Sequence, residues 1–193
     1  MALPIIPEPT ANVRLSIPPL VSTFSFFFSD LELSNPRIQF RDLLGKLESN
    51  PELLGGKIVD RQMANCCVGA LWLKADYFEQ AHALFQDVQT STGSLWHGIS
   101  HRREGDYGNA SYWFARCPNH PAGKEIQIYQ NENQTHSEKL ATAWNYDDFN
   151  RLVKKTRNSP RIVEELMRLQ ETEWRQTFLW TLQKALGEIP VLN

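Results

Sequence analysis

The stretch SLWHGISHRREGDYGNASYWFARCPNHP, residues 94–121, predicts two helices joined by a turn at Gly105-Asp106. An earlier stretch, KADYFEQAHALF at residues 74–85, follows the same plan of Asp-Tyr, then alanine, then phenylalanine four residues after the alanine. When the two are aligned on these residues, the first copy has one extra residue. The two copies therefore predict two similar helical hairpins, one after the other along the chain.

The second copy also carries a pattern of small residues. The pattern Gly-Asp-Tyr-x-x-Ala-x-x-x-Phe at residues 105–114, with Gly98 in the preceding helix, resembles a tetratricopeptide repeat, in which small residues let two antiparallel helices approach closely. Only two copies are visible, whereas a free-standing solenoid usually needs three or more, so other helices must close the two ends. We expect an all-α fold: a compact helical domain built on two tetratricopeptide-like hairpins and closed by a long C-terminal helix.

Prolines separate an N-terminal arm from this domain. Five of the first nineteen residues are prolines, which lack an amide hydrogen and fix φ, so residues 1–23 are predicted to form an extended arm. Turn residues precede the second hairpin at Thr92-Gly93-Ser94. Residues 24–193 are predicted to form a single helical domain with a helix at 37–49, hairpins at 57–90 and 94–117, a polar loop at 118–140 and the C-terminal helix at 160–186.

Composition argues against several classes of partner. The formal net charge is −2, and lysine and arginine are spread along the chain without a basic stripe, so we expect no nucleic-acid partner. The apolar run at residues 20–28 is too short to cross a bilayer, so we expect no membrane partner. Cys66, Cys67 and Cys117 match neither a disulfide framework nor a CxxC pair. The sequence therefore predicts a cytoplasmic protein.

Two histidines occupy positions where a packed hairpin would place apolar residues. His97 and His101 flank Gly98 on the face predicted to meet the partner helix, and the equivalent places in the first copy are assigned to Cys67 and Leu71. Burying an imidazole without a partner costs roughly 1 to 3 kcal/mol. Each histidine is therefore expected to form a hydrogen bond, to bind a metal or to line a wet pocket.

A metal-ligand pattern extends from these histidines along one helix face. His97, His101 and Glu104 follow at i, i+4 and i+7, a set of two imidazoles and a carboxylate suited to a divalent zinc, iron or manganese ion. His82, on the preceding helix, is a further candidate ligand. The candidate catalytic residues are His97, His101, Arg102, Glu104, Asp106 and Asn109.

A structural interpretation of the same residues stays open. The HxxxH spacing on a helix is weakly specific, Glu104 could pair with Arg102 or another arginine, and Asp106 could cap the next helix. His120, followed by Pro121, is predicted to end the second helix of the hairpin. The tryptophans are predicted to be core residues rather than a stacking platform.

The whole stretch is similar to the signature of a widespread, largely uncharacterised protein family. That signature combines a tryptophan-histidine, a histidine-arginine-x-glutamate, an Asn-Ala, a Tyr-Trp-aromatic and a closing His-Pro, and the resemblance covers about residues 65–180. So polar a motif implies a site more than a scaffold, although it brings no named activity. The residues that match it are His82, His97, His101, Arg102, Glu104, Asp106, Asn109, Trp113, Arg116 and His120.

Three functions are compatible with these patterns. The first is an intracellular enzyme or small-molecule binding protein with a metal or acid–base centre at the histidines and Glu104. The second is a non-catalytic tetratricopeptide-like module that binds a peptide in the groove between hairpins. The third is an assembly subunit that forms a homodimer through the aromatic segment at residues 24–28. The expected partner is accordingly a small molecule, a peptide or a second copy of the chain.

Overall fold

A computed structural model describes Phe28, residues 30–133 and residues 144–187, and it confirms the predicted all-α class. In this part of the chain there is no strand, and two short 3-10 helices, Ile38–Phe40 and Pro51–Leu54, accompany eight α-helices. The predicted arm at residues 1–23 lies outside the described residues. The α-helices are α1 (Arg41–Ser49), α2 (Arg61–Lys74), α3 (Phe78–Gln86), α4 (Ser91–Glu104), α5 (Tyr107–Phe114), α6 (Ala122–Asn133), α7 (Tyr146–Thr156) and α8 (Pro160–Leu186).

Side-chain caps set where the hairpin helices begin. The Asp60 carboxylate accepts the Met63 amide hydrogen at the start of α2, and the Asp106 carboxylate does the same for Asn109 at the start of α5, both at 3.1 Å. The Thr90 hydroxyl accepts the Gly93 amide hydrogen at 3.1 Å, so α4 starts at Ser91. The turn predicted at residues 92–94 is therefore wrong, because this cap draws those residues into the first turn of the helix.

In each hairpin, a glycine on the first helix packs against a phenylalanine ring on the second helix. A Cβ atom added to Gly69 of α2 would lie 2.5 Å from the Phe85 ring of α3, and one added to Gly98 of α4 would lie 2.6 Å from the Phe114 ring of α5. The same separation along the chain relates the two glycines and the two phenylalanines. The hairpins are thus structurally equivalent at these contacts, while their tetratricopeptide type stays a prediction.

This equivalence corrects the alignment of the two copies by one residue. The turn residues with positive φ are Asp76 in the first hairpin, at 62°, and Gly105 in the second, at 85°. Asp76 therefore matches Gly105 rather than Asp106, and no extra residue is needed. By the same register the counterparts of the two α4 histidines are Val68 and Trp72, not Cys67 and Leu71.

Replacing Gly98 with alanine tests the close approach of α4 and α5. We expect Gly98→Ala to lower the free energy of unfolding by about 1 to 3 kcal/mol, because the Phe114 ring must move out of its place. Gly45→Ala in α1 is the matched control, because nothing lies within 4 Å of a Cβ there and alanine should stabilise that helix by roughly 0.5 to 1 kcal/mol. Urea denaturation measures both. A Gly98→Ala protein as stable as the parent would contradict this packing.

The long helix α8 packs across α2 and α6 and covers the core. Its indoles and hydroxyls also tie the layers together, since Trp174 Nε1 donates to the Ala70 carbonyl and Trp96 Nε1 donates to Thr181 Oγ1, both at 3.1 Å. Apolar side chains recur along its buried face, namely Leu166, Leu169, Trp174, Phe178, Leu182 and Ala185.

A helix, α6, occupies much of the segment predicted to be a polar loop at 118–140. Ala122 and Ile126, one turn apart, are fully buried, and the helix packs against α8. The prediction of a loop was wrong here because so few apolar residues stand out in a polar sequence.

Phe28 is a core residue. It is 3% exposed, and its ring meets Trp174 edge-on with 6.4 Å between centroids. It is therefore not available for the homodimer contact predicted for residues 24–28, and residues 24–27 lie outside the described part. Among the described helices, none is both long and apolar enough to cross a membrane.

Candidate metal centre

Three histidines meet where α3 packs on α4. One ring nitrogen from each of His82, His97 and His101 lies within 4.8 Å of the others. The rings of His97 and His101, one turn apart on α4, stack with centroids 4.9 Å apart, and the His82 ring stands nearly perpendicular to both. The Nε2 atoms of His82 and His97 are 2.8 Å apart, which is hydrogen-bond distance. We call this group the histidine cluster.

Aromatic side chains pack against the histidine cluster just below the protein surface. Trp113 of α5 stacks on His97 with centroids 4.0 Å apart, and Phe78 of α3 contacts His82 and His101 at 5.5 and 6.2 Å. His97 and His101 are 3% and 7% exposed, whereas His82, Phe78 and Trp113 are half-buried. Trp113, predicted to be a plain core residue, is therefore part of the site.

The α4 histidines are held as neutral imidazoles. Burial, followed by the charges of His82 and then His101, lowers the pKa of His97 from 6.5 to about 3. Burial and His82 also lower the pKa of His101, and Glu104 and Asp106 only partly oppose that shift. A neutral imidazole has a lone pair on one nitrogen, and metal binding requires this form.

Burial leaves ring nitrogens of the cluster poorly satisfied. Within the described residues, Nδ1 of His97 has no hydrogen-bond partner. Nδ1 of His101 lies 3.5 Å from Glu104 Oε2, an ion-pair distance that lacks hydrogen-bond geometry. Buried polar atoms are normally paired, but Trp144 Nε1 and Asn150 Oδ1 also lack a partner among the described residues, so these nitrogens support the candidate site only together with the convergence of the three rings.

Glu104 has a different place from the one predicted for it. The sequence pattern made it the third ligand, whereas the structure brings His82 to the other two histidines and leaves the exposed Glu104 beside Nδ1 of His101. The carboxylate lies close to its helix neighbour, and His82 comes from the opposite helix of the packed pair. A carboxylate behind a ligating histidine sets its tautomer and orientation.

Arg102 is separated from the histidine cluster. Its guanidinium is fully buried and forms a two-armed ion pair with Glu173 of α8, which is also fully buried. Arg102 Nε further donates to Gln170 Oε1 at 3.4 Å, and Phe149 lies 4.8 Å beneath the guanidinium carbon. Since Arg102 directly follows His101 on the helix, its side chain leaves on another face and serves the core.

Asp106 and Asn109 bond to each other at the start of α5. Besides the cap, Asn109 Nδ2 donates to Asp106 Oδ2 at 3.3 Å, and both residues are exposed. The interpretation of Asp106 as a helix cap is confirmed. Its carboxylate is nevertheless near enough to raise the pKa of His101, so it adds negative potential beside the cluster.

His120 does not end the preceding helix and does not join the cluster. Helix α5 stops at Phe114, and His120 is buried ahead of α6. Its Nδ1 accepts the Ala122 amide hydrogen at 3.3 Å, its Nε2 lies 3.1 Å from Thr92 Oγ1, and Trp180 meets the ring edge-on. Both nitrogens are therefore satisfied, as expected of a structural histidine.

Buried ion pairs near the motif were not foreseen from the sequence. Arg103 Nη2 donates to Asp76 Oδ1 at 2.5 Å, which links α4 to the turn of the first hairpin, and Lys74 pairs with Glu171 of α8. A signal was present, because Lys74 and Arg103 hold the same place in the two hairpins by the corrected register. A charged residue repeated at a core-facing position predicts a buried partner.

A shallow cleft lies elsewhere on the molecule. It has a volume of about 740 Å³ and no histidine among its lining residues, which include Arg41, Lys46, Leu53 and Trp72. The histidine cluster is the stronger candidate site, because its side chains carry ligand chemistry, whereas the cleft has no comparable group of convergent ligand atoms.

The fold and the site together define an all-α protein with a largely buried cluster of three histidines that could hold a metal ion. Comparison of the chain with protein-family models, with curated proteins and with solved structures finds no match. The resemblance to the histidine-rich family signature therefore stays a prediction, and function is argued from the site geometry.

Proposed function

We propose that this protein binds a zinc ion through His82, His97 and His101 and uses it to hold a small-molecule ligand. The observation that carries the proposal is the convergence of three imidazole nitrogens within 4.8 Å on two packed helices. Three protein ligands leave a fourth position of a tetrahedral zinc ion for water or for a ligand atom. Sites with such an open position bind or transform small molecules, whereas structural zinc sites are closed by four protein ligands.

The identity of the third ligand favours zinc over iron and manganese. Two histidines with Glu104 would make a two-imidazole, one-carboxylate set, which is typical of non-haem iron. With His82 in the third place the set is all imidazole, which suits zinc, while manganese prefers carboxylate and water ligands.

Modest side-chain movement would adapt the histidine cluster to the metal. Zinc–nitrogen bonds of about 2.0 to 2.1 Å in a tetrahedron separate the ligand nitrogens by about 3.3 Å. The 2.8 Å gap between the Nε2 atoms of His82 and His97 must therefore widen by about half an ångström. His82 is half-buried and can make this adjustment. The metal would then replace the hydrogen bond between the rings of His82 and His97, and each of these two rings would carry its proton on Nδ1.

The surroundings fit the chemistry of an open zinc position. A bound zinc ion lowers the pKa of its water to about 7, which supplies hydroxide at neutral pH. Phe78 and Trp113 place apolar rings against the cluster, and a less polar environment strengthens electrostatic interactions within it. Glu104 Oε2 lies 3.5 Å from Nδ1 of His101, so a small rotation of this exposed carboxylate would let it accept the Nδ1 hydrogen and fix the tautomer.

The test is zinc binding by metal-depleted protein and by His97→Leu and His101→Leu variants. We expect one zinc ion per chain in the parent, and at least a hundredfold weaker binding in each variant, because two imidazoles alone bind zinc poorly. Both variants should remain folded, at equal or higher melting temperature, because leucine suits the buried face. His120→Asn is the control, a buried histidine outside the cluster whose loss should leave zinc affinity unchanged.

A contrary result would assign the histidines a structural role. A parent protein that binds no zinc, together with variants destabilised by roughly 1 to 3 kcal/mol, would show that the histidines serve packing alone. The non-catalytic interaction module would then be the remaining hypothesis.

A further inference from the structure

A cation that follows α5 lies over the indole that stacks on the histidine cluster. Asn109, Trp113 and Arg116 follow at i, i+4 and i+7, and the Arg116 amide continues the turn by donating to the Trp113 carbonyl at 3.0 Å. The Arg116 guanidinium carbon lies 5.4 Å from the centre of the Trp113 ring, which itself stacks on His97 at 4.0 Å. Trp113 therefore contacts both the cation and a proposed metal ligand.

The guanidinium of Arg116 has a hydrogen-bond partner but no acidic partner among the described residues. Its Nη1 donates to the Tyr112 hydroxyl at 2.5 Å, and its carbon lies 5.1 Å from the Tyr112 ring. By contrast, the exposed Arg151 and Arg168 each pair with a carboxylate one turn away on their own helix. Arg116 thus presents hydrogen-bond donors to solvent from a position that two aromatic rings hold.

The positive charge of the proposed metal centre would also favour an anionic ligand. Three neutral imidazoles leave the two positive charges of zinc uncompensated at the open position, and Glu104 lies behind His101 rather than on the metal. An oxyanion ligand would offset that charge and would also match the planar fork of a guanidinium.

We propose that the ligand of this site is a small oxyanion-bearing molecule, a carboxylate or a phosphate, which reaches the metal and pairs with Arg116. This inference rests on the proposed zinc site and adds the class of ligand to it. The carboxylate and phosphate sources share the chemistry that Arg116 recognises, and separate titrations distinguish them.

Cobalt-substituted protein tests this ligand class, because the visible absorption of the cobalt ion reports on its coordination. Succinate and inorganic phosphate are titrated separately at constant ionic strength into the parent and into Arg116→Gln. We expect a saturable spectral change with at least one of them. Arg116→Gln should weaken that binding roughly tenfold to a hundredfold, by loss of a charge-assisted hydrogen bond, without changing metal affinity. Arg116→Lys should recover only part of it.

Arg168→Gln is the matched control, because it removes an exposed arginine paired with Glu164 on α8 and should change neither titration. A response to succinate alone assigns a carboxylate ligand, and a response to phosphate alone assigns a phosphate. If the metal binds but neither anion does, or if Arg116→Gln binds as the parent does, the oxyanion proposal is overturned and the zinc site stands. If the protein holds no metal, both proposals fail together.

Discussion

Replacing Arg102 with methionine is expected to lower the free energy of unfolding by about 3 to 5 kcal/mol, the usual cost of leaving one member of a buried ion pair without its partner. Arg102 and Glu173 are both fully buried, and two guanidinium nitrogens contact the two carboxylate oxygens. Burial already holds the pKa of Glu173 above 4.5 although Arg102 opposes the shift, so the lone carboxyl group of the variant must take up a proton or remain charged in the core.

The double variant Arg102→Met/Glu173→Met separates the ion pair from simple packing. With both charges gone, most of the lost stability should return, because apolar side chains of similar volume often replace a buried pair without cost. Arg168→Met, which breaks the exposed pair with Glu164, is the control and should cost less than about 1 kcal/mol. Urea denaturation of these proteins and of the Glu173→Met single variant gives the coupling energy between Arg102 and Glu173.

The same experiment decides between two roles for Arg102. Zinc affinity should be unchanged in Arg102→Met, because none of the described contacts of its guanidinium is with a histidine of the cluster. A stable Arg102→Met protein that had lost its metal or its ligand would instead restore Arg102 to the functional site where the sequence placed it.

The second large effect is a loss of folding stability at acidic pH. Burial lowers the pKa of His120 from 6.5 to about 4, because the ring is shielded from water and the charged form loses its hydration. Its Nδ1 accepts the Ala122 amide hydrogen, so protonation breaks that bond. In the unfolded chain the imidazole takes up its proton near its ordinary pKa. The unfolded state therefore binds more protons between about pH 6.5 and pH 4, and stability falls as the pH falls through this window.

His120→Asn isolates this contribution, because asparagine can keep an acceptor for the Ala122 amide without a group that titrates in this window. Relative to its own stability at pH 7, the parent should lose about 3 kcal/mol more than the variant by pH 4, at about 1.4 kcal/mol for each pKa unit. Urea denaturation in the presence of a chelator measures both proteins across the range, and the other histidines contribute equally to each curve. Parallel curves for the two proteins would show that His120 does not titrate as its burial requires.

Much of the hairpin architecture follows from local sequence. The glycines at 69 and 98 and the phenylalanines at 85 and 114 repeat at one separation, and small residues at such positions favour close helix packing. The register of the turns was harder to predict from the sequence. Asp-Tyr occurs in both copies, and aligning the two dipeptides pairs Asp76 with Asp106 instead of Gly105. Asp76 adopts the left-handed conformation that Gly105 adopts, and ion pairing with Arg103 stabilises it there.

The amino-acid sequence by itself determined the all-α class, the long C-terminal helix and the pairing of His97 with His101, because helical periodicity acts between residues three or four apart. Tertiary structure alone decided that His82 completes the cluster and that α6 is a helix, because each depends on which surface packs against it. Tertiary packing also directs the Arg102 side chain toward Glu173, which lies 71 positions further along the chain. Local spacing places side chains on a face, but only the packed helices decide which group that face meets.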